Sequence, residues 1–148
     1  MVTQVTTDDK NLRKQGLLKK LKNTRWQAYK QWPSCYCEAL QTTVHFTPDG
    51  FFHLQSDPSG RARTISEQLH KYTLLTFVPE IIKNCDSVSS YIKKKAPVSR
   101  KRKGGKLLIK EFEYWALETS LPNNPKKKIR VIVRKLVGSE KVIFWSIM

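Results

Sequence analysis

The stretch IRVIVR at residues 129–134 decides the fold predicted for this chain. Basic and aliphatic residues alternate in it, and neighbouring side chains of a strand point to opposite faces of a sheet. Arg130 and Arg134 therefore share one face with Ile132, while the remaining three aliphatic side chains point to the other. The pattern predicts a half-buried strand with an apolar inner face and a basic outer face.

Strand signals continue on both sides of this stretch. Residues 106–119 form a candidate strand, which a Pro- and Asn-containing turn joins to the strand at 128–137. Gly138-Ser139 predicts a tight hairpin into a last strand at 141–148, and residues 87–93 form a candidate first strand. Together these segments predict a four-stranded antiparallel sheet.

An N-terminal extension at residues 1–37 is expected to precede the main domain. Residues 8–32 carry apolar and basic side chains in an imperfect helical pattern, which predicts a basic amphipathic helix that ends at Pro33. This helix is interpreted either as a packing element or as a basic arm that contacts phosphates. Residues 38–148 are expected to form a single α+β domain, with helices first and the antiparallel sheet after them.

Short capping and turn signals locate the helices of that domain. Thr47-Pro48 opens a short helix, and Thr64–Glu67 is a capping box at the start of a longer one. Pro79 interrupts the longer helix, and a second piece continues to Asn84. Ahead of these helices, the β-favouring residues of Glu38–Phe46 predict one more strand.

The charge balance indicates a polyanionic partner. The chain has 28 Lys and Arg against 12 Asp and Glu, a formal charge of +16 over 148 residues. Self-repulsion of that size is most readily offset by nucleic acid. Residues 94–105 form a basic loop that we expect to hold RNA, and a nuclear import signal is the less favoured interpretation. Further nucleic-acid contacts are expected from Arg61, Lys71, Arg100, Lys101, Arg102, Lys103, Lys106 and Lys128.

Other classes of protein lack their sequence features here. No apolar run approaches the roughly 20 residues that span a bilayer, and no signal peptide is evident, so we expect a cytoplasmic protein without a membrane partner. Cys35, Cys37 and Cys85 are odd in number. Buried free thiols are favoured over a strained disulfide and over a zinc site completed by His45 and His53. Neither a metal nor a cofactor is predicted.

Metal-independent cleavage of RNA is compatible with so few acidic residues. The carboxylates are too scattered for a two-metal nuclease. RNA carries its own nucleophile, the 2′-hydroxyl, if the protein provides a base, an acid and cations for the developing phosphorane charge. His53 is the favoured histidine for acid or base, because Arg61 and Arg63 follow it on a loop able to close on a phosphate.

Two hairpin registers determine which side chains join the arginines. Glu111 and Glu113 share one face of their strand, and Tyr114 lies on the other. A glutamate is a candidate base if that pair stands beside the arginines, and Tyr114 takes the position otherwise. In the last hairpin, a two-residue loop places Trp145 on the arginine face, where its indole would stack on a base. A bulge instead brings Ser146 there as a hydrogen-bond donor to phosphate.

The order of several short motifs resembles that of a known group of enzymes. The motifs are Phe51-Phe52-His53-Leu54, an Arg-rich turn, a helix with Leu74-Leu75 and Pro79, Glu113–Leu117, Ile129–Arg134 and Phe144–Ser146. Over roughly residues 40–148 the chain resembles phage- and toxin-related proteins grouped with the barnase, colicin and RelE-type ribonucleases.

This resemblance implies helices packed on a four-stranded antiparallel sheet and cleavage of RNA without metal. The implied substrate is tRNA or mRNA, including ribosome-bound mRNA, and an acidic antitoxin or immunity protein is the expected partner of such a toxin. His53, Arg134 and Ser146 match the histidine, arginine and hydroxyl positions of the group. The alternative is a non-catalytic basic protein that binds RNA or DNA. The complete set of expected catalytic residues is His53, Arg63, Glu113, Arg130, Arg134 and Ser146.

Overall fold

A computed structural model describes residues 7–57, 59–98, 108–121 and 124–148. The helices within these residues are α1 (Thr7–Tyr29), α2 (Pro48–Phe52), α3 (Ile65–Leu75) and α4 (Val78–Asn84). The strands are β1 (Cys35–Cys37), β2 (Thr42–His45), β3 (Ser90–Pro97), β4 (Ile109–Leu121), β5 (Asn124–Leu136) and β6 (Val142–Ile147). The chain is α+β, as the sequence predicts, with the helices ahead of the long strands.

The sheet is wider than the sequence predicts. Its strand order is β1-β2-β6-β5-β4-β3, so the predicted four-stranded antiparallel meander forms only part of a six-stranded mixed sheet. The hairpin of β1 and β2 extends the outer edge of β6, and β2 runs parallel to β6 with Val44 opposite Val142. Val44 and Cys37 are fully buried there, so joining the sheet removes their apolar surface from water.

Several predicted strand boundaries also differ from the structure, and two of these differences are large enough to change a predicted loop or strand. β3 continues to Pro97, so residues 94–97 belong to the sheet and not to the predicted loop at 94–105. An edge strand accepts consecutive lysines because their charged ends reach water on either side. Residues 38–41, predicted as strand, instead form a turn in which Gln41 has a left-handed backbone conformation. Residues 99–105 of the predicted loop lie outside the described residues.

The core lies between the helices and one face of the sheet. The three aliphatic residues predicted to point inward, Ile129, Val131 and Val133, are at most 1 % exposed. Tyr72 and Leu75 of α3 are fully buried and belong to the same cluster. The predicted alternation of β5 is therefore confirmed, and the opposite face of the sheet is left for the basic side chains.

Only the second half of α1 packs on this core. Tyr29 is buried, and its hydroxyl donates a hydrogen bond of 2.6 Å to the carbonyl oxygen of Thr47. Leu12 and Leu17 in the first half are 65 % and 57 % exposed. The predicted amphipathic helix is thus wrong for its N-terminal turns. The sequence places leucines there, but no element of the described residues covers these two.

The predicted helix signals are confirmed. The Thr64 side chain accepts a hydrogen bond from the Glu67 amide at the start of α3. α2 begins at Pro48, and α3 gives way to α4 just ahead of Pro79, which lies in the first turn of α4. A proline fits that position because the first amides of a helix have no partner inside it.

α2 lies against β6 at the point where β2 ends. Within β6, only Val142 and Ile143 pair with β2. The rest of that edge of β6 is therefore available for contact with a helix. Gly50 permits the close approach, because a Cβ at this position would lie 2.3 Å from the carbonyl oxygen of Phe144. His53 follows directly at the end of α2 and is thereby brought to the second half of β6.

Candidate functional site

A groove of about 1030 Å³ lies on the face of the sheet opposite the core. Its floor is formed by β3 to β6, and its wall by the chain from His53 to Arg63 together with Lys71 of α3. Its lining cations among the described residues are Arg63, Lys71, Lys94, Lys95, Arg130 and Arg134, and its lining carboxylates are Asp49 and Asp57. Positive charge therefore predominates in the groove.

The register of β4 and β5 excludes the predicted glutamates from this face. Tyr114 lies opposite Arg134, and its hydroxyl accepts a hydrogen bond of 3.4 Å from a terminal nitrogen of Arg134. Glu111 and Glu113 point to the other face, where they pair with Lys93 and Lys135. Of the two registers that the sequence left open, the structure has the one that favours Tyr114. Glu113 is thus not part of the groove.

A β-bulge in β6 brings both Trp145 and Ser146 to the arginine face, where the sequence had predicted either one or the other. Phe144 lies opposite Val133 and Ser146 opposite Ile132, so one residue, Trp145, is inserted between the two pairs. Two residues of the bulged strand then oppose one residue of the partner strand. As a result, Trp145 and Ser146 both line the groove.

Four side chains form a continuous stack that runs from β4 to the wall of the groove. The guanidinium carbon of Arg134 lies 3.2 Å from the centre of the Trp145 ring and 3.9 Å from that of Phe112. The His53 and Trp145 ring centres are 4.1 Å apart, with 29° between the planes. Both groups lie over the centre of the same indole. On one face they would be less than about 3.5 Å apart and would overlap, so Arg134 and His53 contact opposite faces. The order is Phe112, Arg134, Trp145, His53.

This stack changes the expected role of Arg134. The side chain is only 2 % exposed, and its terminal nitrogens donate hydrogen bonds to the carbonyl oxygens of Pro97, at 3.3 Å, and Val98, at 2.8 Å. Burial lowers the pKa of Arg134, which the nearby Tyr114 hydroxyl partly offsets. Arg134 therefore ties the end of β3 to the stack, and its planar faces are not presented to the groove.

His53 has an unusual electrostatic environment. It is half-buried with both ring nitrogens shielded from water, and a hydrogen bond with the backbone of Trp145 opposes the lowering of its pKa. Burial, followed by the charges of Arg63, Arg134 and Lys71, lowers the pKa of His53 to about 3. The imidazole is therefore neutral at pH 7 and is able to accept a proton but not to donate one.

Lys71 and Ser146 meet beside this histidine. The Lys71 ammonium donates to the carbonyl oxygen of Ile147 at 2.7 Å and to the Ser146 hydroxyl at 3.5 Å. Burial and the charge of Arg63 lower the pKa of Lys71 to about 8. Arg63 itself donates from Nε to the carbonyl oxygen of His53 at 3.1 Å. His53, Arg63, Lys71 and Ser146 thus form one cluster, which we call the wall cluster.

The other predicted contact residues are spread more widely. Arg130 lines the groove and donates to the Ser90 hydroxyl. Arg61 is exposed in the turn that the Asp57 carboxylate organises. Lys128 is exposed and pairs with Glu118 at 3.4 Å. Arg100, Lys101, Arg102, Lys103 and Lys106 lie outside the described residues.

Three residues in or beside the groove were not singled out from the sequence. Phe112 closes the stack, Lys94 lies above the Tyr114 ring, and the Asp49 carboxylate acts on Arg134. Phe112 had a detectable signal, because it lies two residues before Tyr114 and therefore on the same face of β4. Lys94 was expected to hold RNA only as part of the basic loop at 94–105, and Asp49 had no sequence signal because its position depends on how α2 packs.

The predicted free thiols are present, and Cys35 and Cys37 are buried. Across the described ranges, no group of three or more His, Cys, Asp and Glu side chains is close enough to hold a metal ion. None of the helices described for this chain is both long and apolar enough to cross a membrane.

Comparison with known proteins gives no identification. No family model, curated protein or solved structure matches this chain. The groove and its residues are therefore the basis for proposing a function.

Proposed function

We propose that the chain is an endoribonuclease that cleaves RNA in this groove without a metal ion. The observation that carries the proposal is the environment of His53. A neutral, partly buried imidazole lies beside Arg63 and Lys71 at the wall of a cationic groove. An imidazole at this position is suited to accept the proton of a ribose hydroxyl once bound phosphate offsets the neighbouring positive charges, and the cations suit the phosphate that the hydroxyl attacks.

The proposed reaction uses the 2′-hydroxyl of RNA as the nucleophile. His53 accepts the hydroxyl proton while the oxygen attacks the neighbouring phosphorus. Arg63 and Lys71 stabilise the negative charge that develops on the phosphate oxygens. Loss of the 5′-oxygen then leaves a 2′,3′-cyclic phosphate on one fragment and a 5′-hydroxyl on the other. DNA lacks the nucleophile and is not cleaved.

Bound phosphate would make His53 a stronger base than it is in the empty groove. A group with a pKa of about 3 accepts protons weakly at neutral pH. Part of that depression comes from Arg63, Arg134 and Lys71, whose charges repel a second proton on the ring. A phosphate anion beside these cations offsets their charge and raises the pKa of His53. Substrate binding thus favours the first proton transfer.

The floor of the groove suits a single strand of RNA. Ile92 is 53 % exposed and, with the half-buried Ile132, offers apolar surface for a base or a ribose. Lys94 and Arg130 flank this surface and are available to phosphates. Trp145 is less suited to base stacking than the sequence predicted, because Arg134 and His53 already cover its two faces.

The test is cleavage of single-stranded RNA by purified protein in EDTA. We expect RNA fragments ending in 2′,3′-cyclic phosphate, no cleavage of DNA of the same sequence, and a loss of about 10²-fold or more in His53→Ala. His70→Ala is the matched control, because His70 is exposed on α3. Cleavage of DNA, or equal activity in the two variants, would overturn the assignment.

A second candidate is a non-catalytic RNA-binding protein. The observation that favours it is the cationic groove itself, which would hold a phosphate backbone without any proton transfer. It requires binding that weakens steeply with salt and RNA that stays intact during the incubation. In either case the groove is where an acidic inhibitor protein would bind, because it would compete with RNA for the same cations.

A further inference from the structure

Lys71 is the one lysine in the described part of the chain that is buried. It lies on α3 next to Tyr72, which is part of the core, yet its ammonium group reaches the groove wall. Removing an ammonium group from water is unfavourable unless charge or hydrogen bonds compensate. A buried lysine at the edge of a groove therefore requires an explanation.

The partners of Lys71 compensate its burial only in part. No carboxylate of the described residues lies within ion-pair distance of its ammonium group. An ammonium group has three N–H donors. Ile147 accepts one at 2.7 Å and Ser146 accepts a second at the long distance of 3.5 Å. The third has no acceptor among the described residues, and Lys71 lines the groove with His53 and Arg63.

We infer that Lys71 is the proton donor to the leaving 5′-oxygen in the proposed cleavage, acting opposite His53. This inference rests on the proposed function and completes it, since His53 is able only to accept a proton. The 2′-oxygen forms its bond to phosphorus as its proton passes to His53. The phosphorus–O5′ bond then breaks as a Lys71 proton passes to O5′. Imidazolium and neutral amine remain, and exchange with water restores both.

The charges around Lys71 support this role. Lys71 interacts electrostatically with four titratable groups of the described residues. These are Arg63 from the loop, Glu67 and His70 from α3, and His53 at the end of α2. Burial and Arg63 lower the pKa of Lys71 to about 8, and Glu67 opposes them. Lys71 is thus mostly protonated at neutral pH and gives up its proton more readily than an ordinary lysine.

A purely structural role is the competing explanation. By donating to Ile147, Lys71 also fastens α3 to the end of β6. Arginine separates the two roles, because it keeps the charge and the hydrogen-bonding capacity but does not lose its proton near neutral pH. A structural lysine tolerates Lys71→Arg if the side chain fits, and a proton donor does not.

The decisive experiment compares two RNA substrates that differ in one atom. The first is an ordinary oligoribonucleotide with a single cleavage site, and the second has sulfur in place of the leaving 5′-oxygen. A thiolate leaves without a proton. We expect Lys71→Arg to lose about 10²-fold or more on the oxygen substrate and to cleave the sulfur substrate nearly as fast as wild type. His53→Ala should be impaired on both.

Controls separate the failure of this inference from the failure of the proposed function. Lys83→Arg, an exposed lysine near the end of α4, should behave as wild type on both substrates. Equal losses on oxygen and sulfur substrates in Lys71→Arg would assign Lys71 a structural role and leave the ribonuclease intact. A wild-type protein that cleaves neither substrate would overturn both. Lys71→Met, measured in the same way, replaces Lys71→Arg if the latter does not fold.

Discussion

The guanidinium carbon of Arg134 lies 3.2 Å from the centre of the Trp145 ring, and the other face of that indole is covered by His53. A cation on β5 thereby fixes the bulge of β6, and the bulge fixes the histidine at the end of α2. Arg134 also holds the end of β3 through Val98. With Phe112 of β4, the stack and its hydrogen bonds therefore link four strands to the end of α2 at the position where we propose that RNA is cleaved.

Arg134→Lys should destabilise the protein although the charge is kept. A lysine has no planar group to fill the space between Phe112 and Trp145, and it reaches the carbonyls of Pro97 and Val98 with poorer geometry. We expect the free energy of unfolding to fall by about 2 kcal/mol, as two partly buried carbonyl acceptors lose their donors. Urea denaturation measures it. An unchanged midpoint in Arg134→Lys would show that the stack contributes little.

Trp145→Ala should change the titration of His53. The indole covers one face of the imidazole, and burial is the largest cause of the low pKa of His53. Without the indole, water reaches the ring and the pKa rises from about 3 towards 6.5. Trp145→Phe keeps a ring in the stack and should leave the pKa low. Proton NMR of the histidine ring follows the titration, and a value near 3 in Trp145→Ala would contradict this account.

Gly50→Ala should displace α2 from β6. The added methyl group would meet the carbonyl oxygen of Phe144 at 2.3 Å, so the helix has to move. We expect a loss of about 1–3 kcal/mol in the free energy of unfolding and a loss of RNA cleavage, because His53 moves with α2. Gly16→Ala is the control, since no atom lies within 4 Å of a Cβ there. It should stabilise α1 by up to about 1 kcal/mol. Equal behaviour of both variants would contradict the packing argument.

Local signals predicted the elements of the fold well and their pairing poorly. The alternation at residues 129–134 correctly predicted both faces of β5, and Thr64 and Pro79 correctly marked helix boundaries. The sequence near Val44 predicted a strand but not its parallel partner, because the contact with Val142 joins distant parts of the chain. Nothing in the local sequence of either strand encodes that pairing.

The candidate site was predictable in part, from motifs whose residues lie close together in the sequence. His53 and Ser146 were correctly expected to line a basic groove, and they do so. Glu113 was expected beside the arginines and lies on the other face, whereas Arg134 lines the groove as expected but is buried in the stack. The face of Glu113 relative to the arginines depends on the register of β4 against β5, which a one-residue slip reverses. The burial of Arg134 depends on a bulge and on two aromatic rings from other strands.

The stability of the protein should depend on pH through His53. The pKa of this residue is about 3 in the folded protein and 6.5 in an unfolded chain, so the unfolded state binds more protons between these values. His53 therefore contributes full stability above about pH 6.5, and this contribution is lost as the pH falls, by up to about 1.4 kcal/mol per pH unit. Urea midpoints between pH 4 and pH 7.5 measure the dependence.

His53→Gln should flatten this pH dependence, while His70→Gln, on the exposed face of α3, should change it far less. Equal slopes for wild type and His53→Gln would show that the imidazole is accessible to protons in the folded state, and would remove the neutral base from the proposed site.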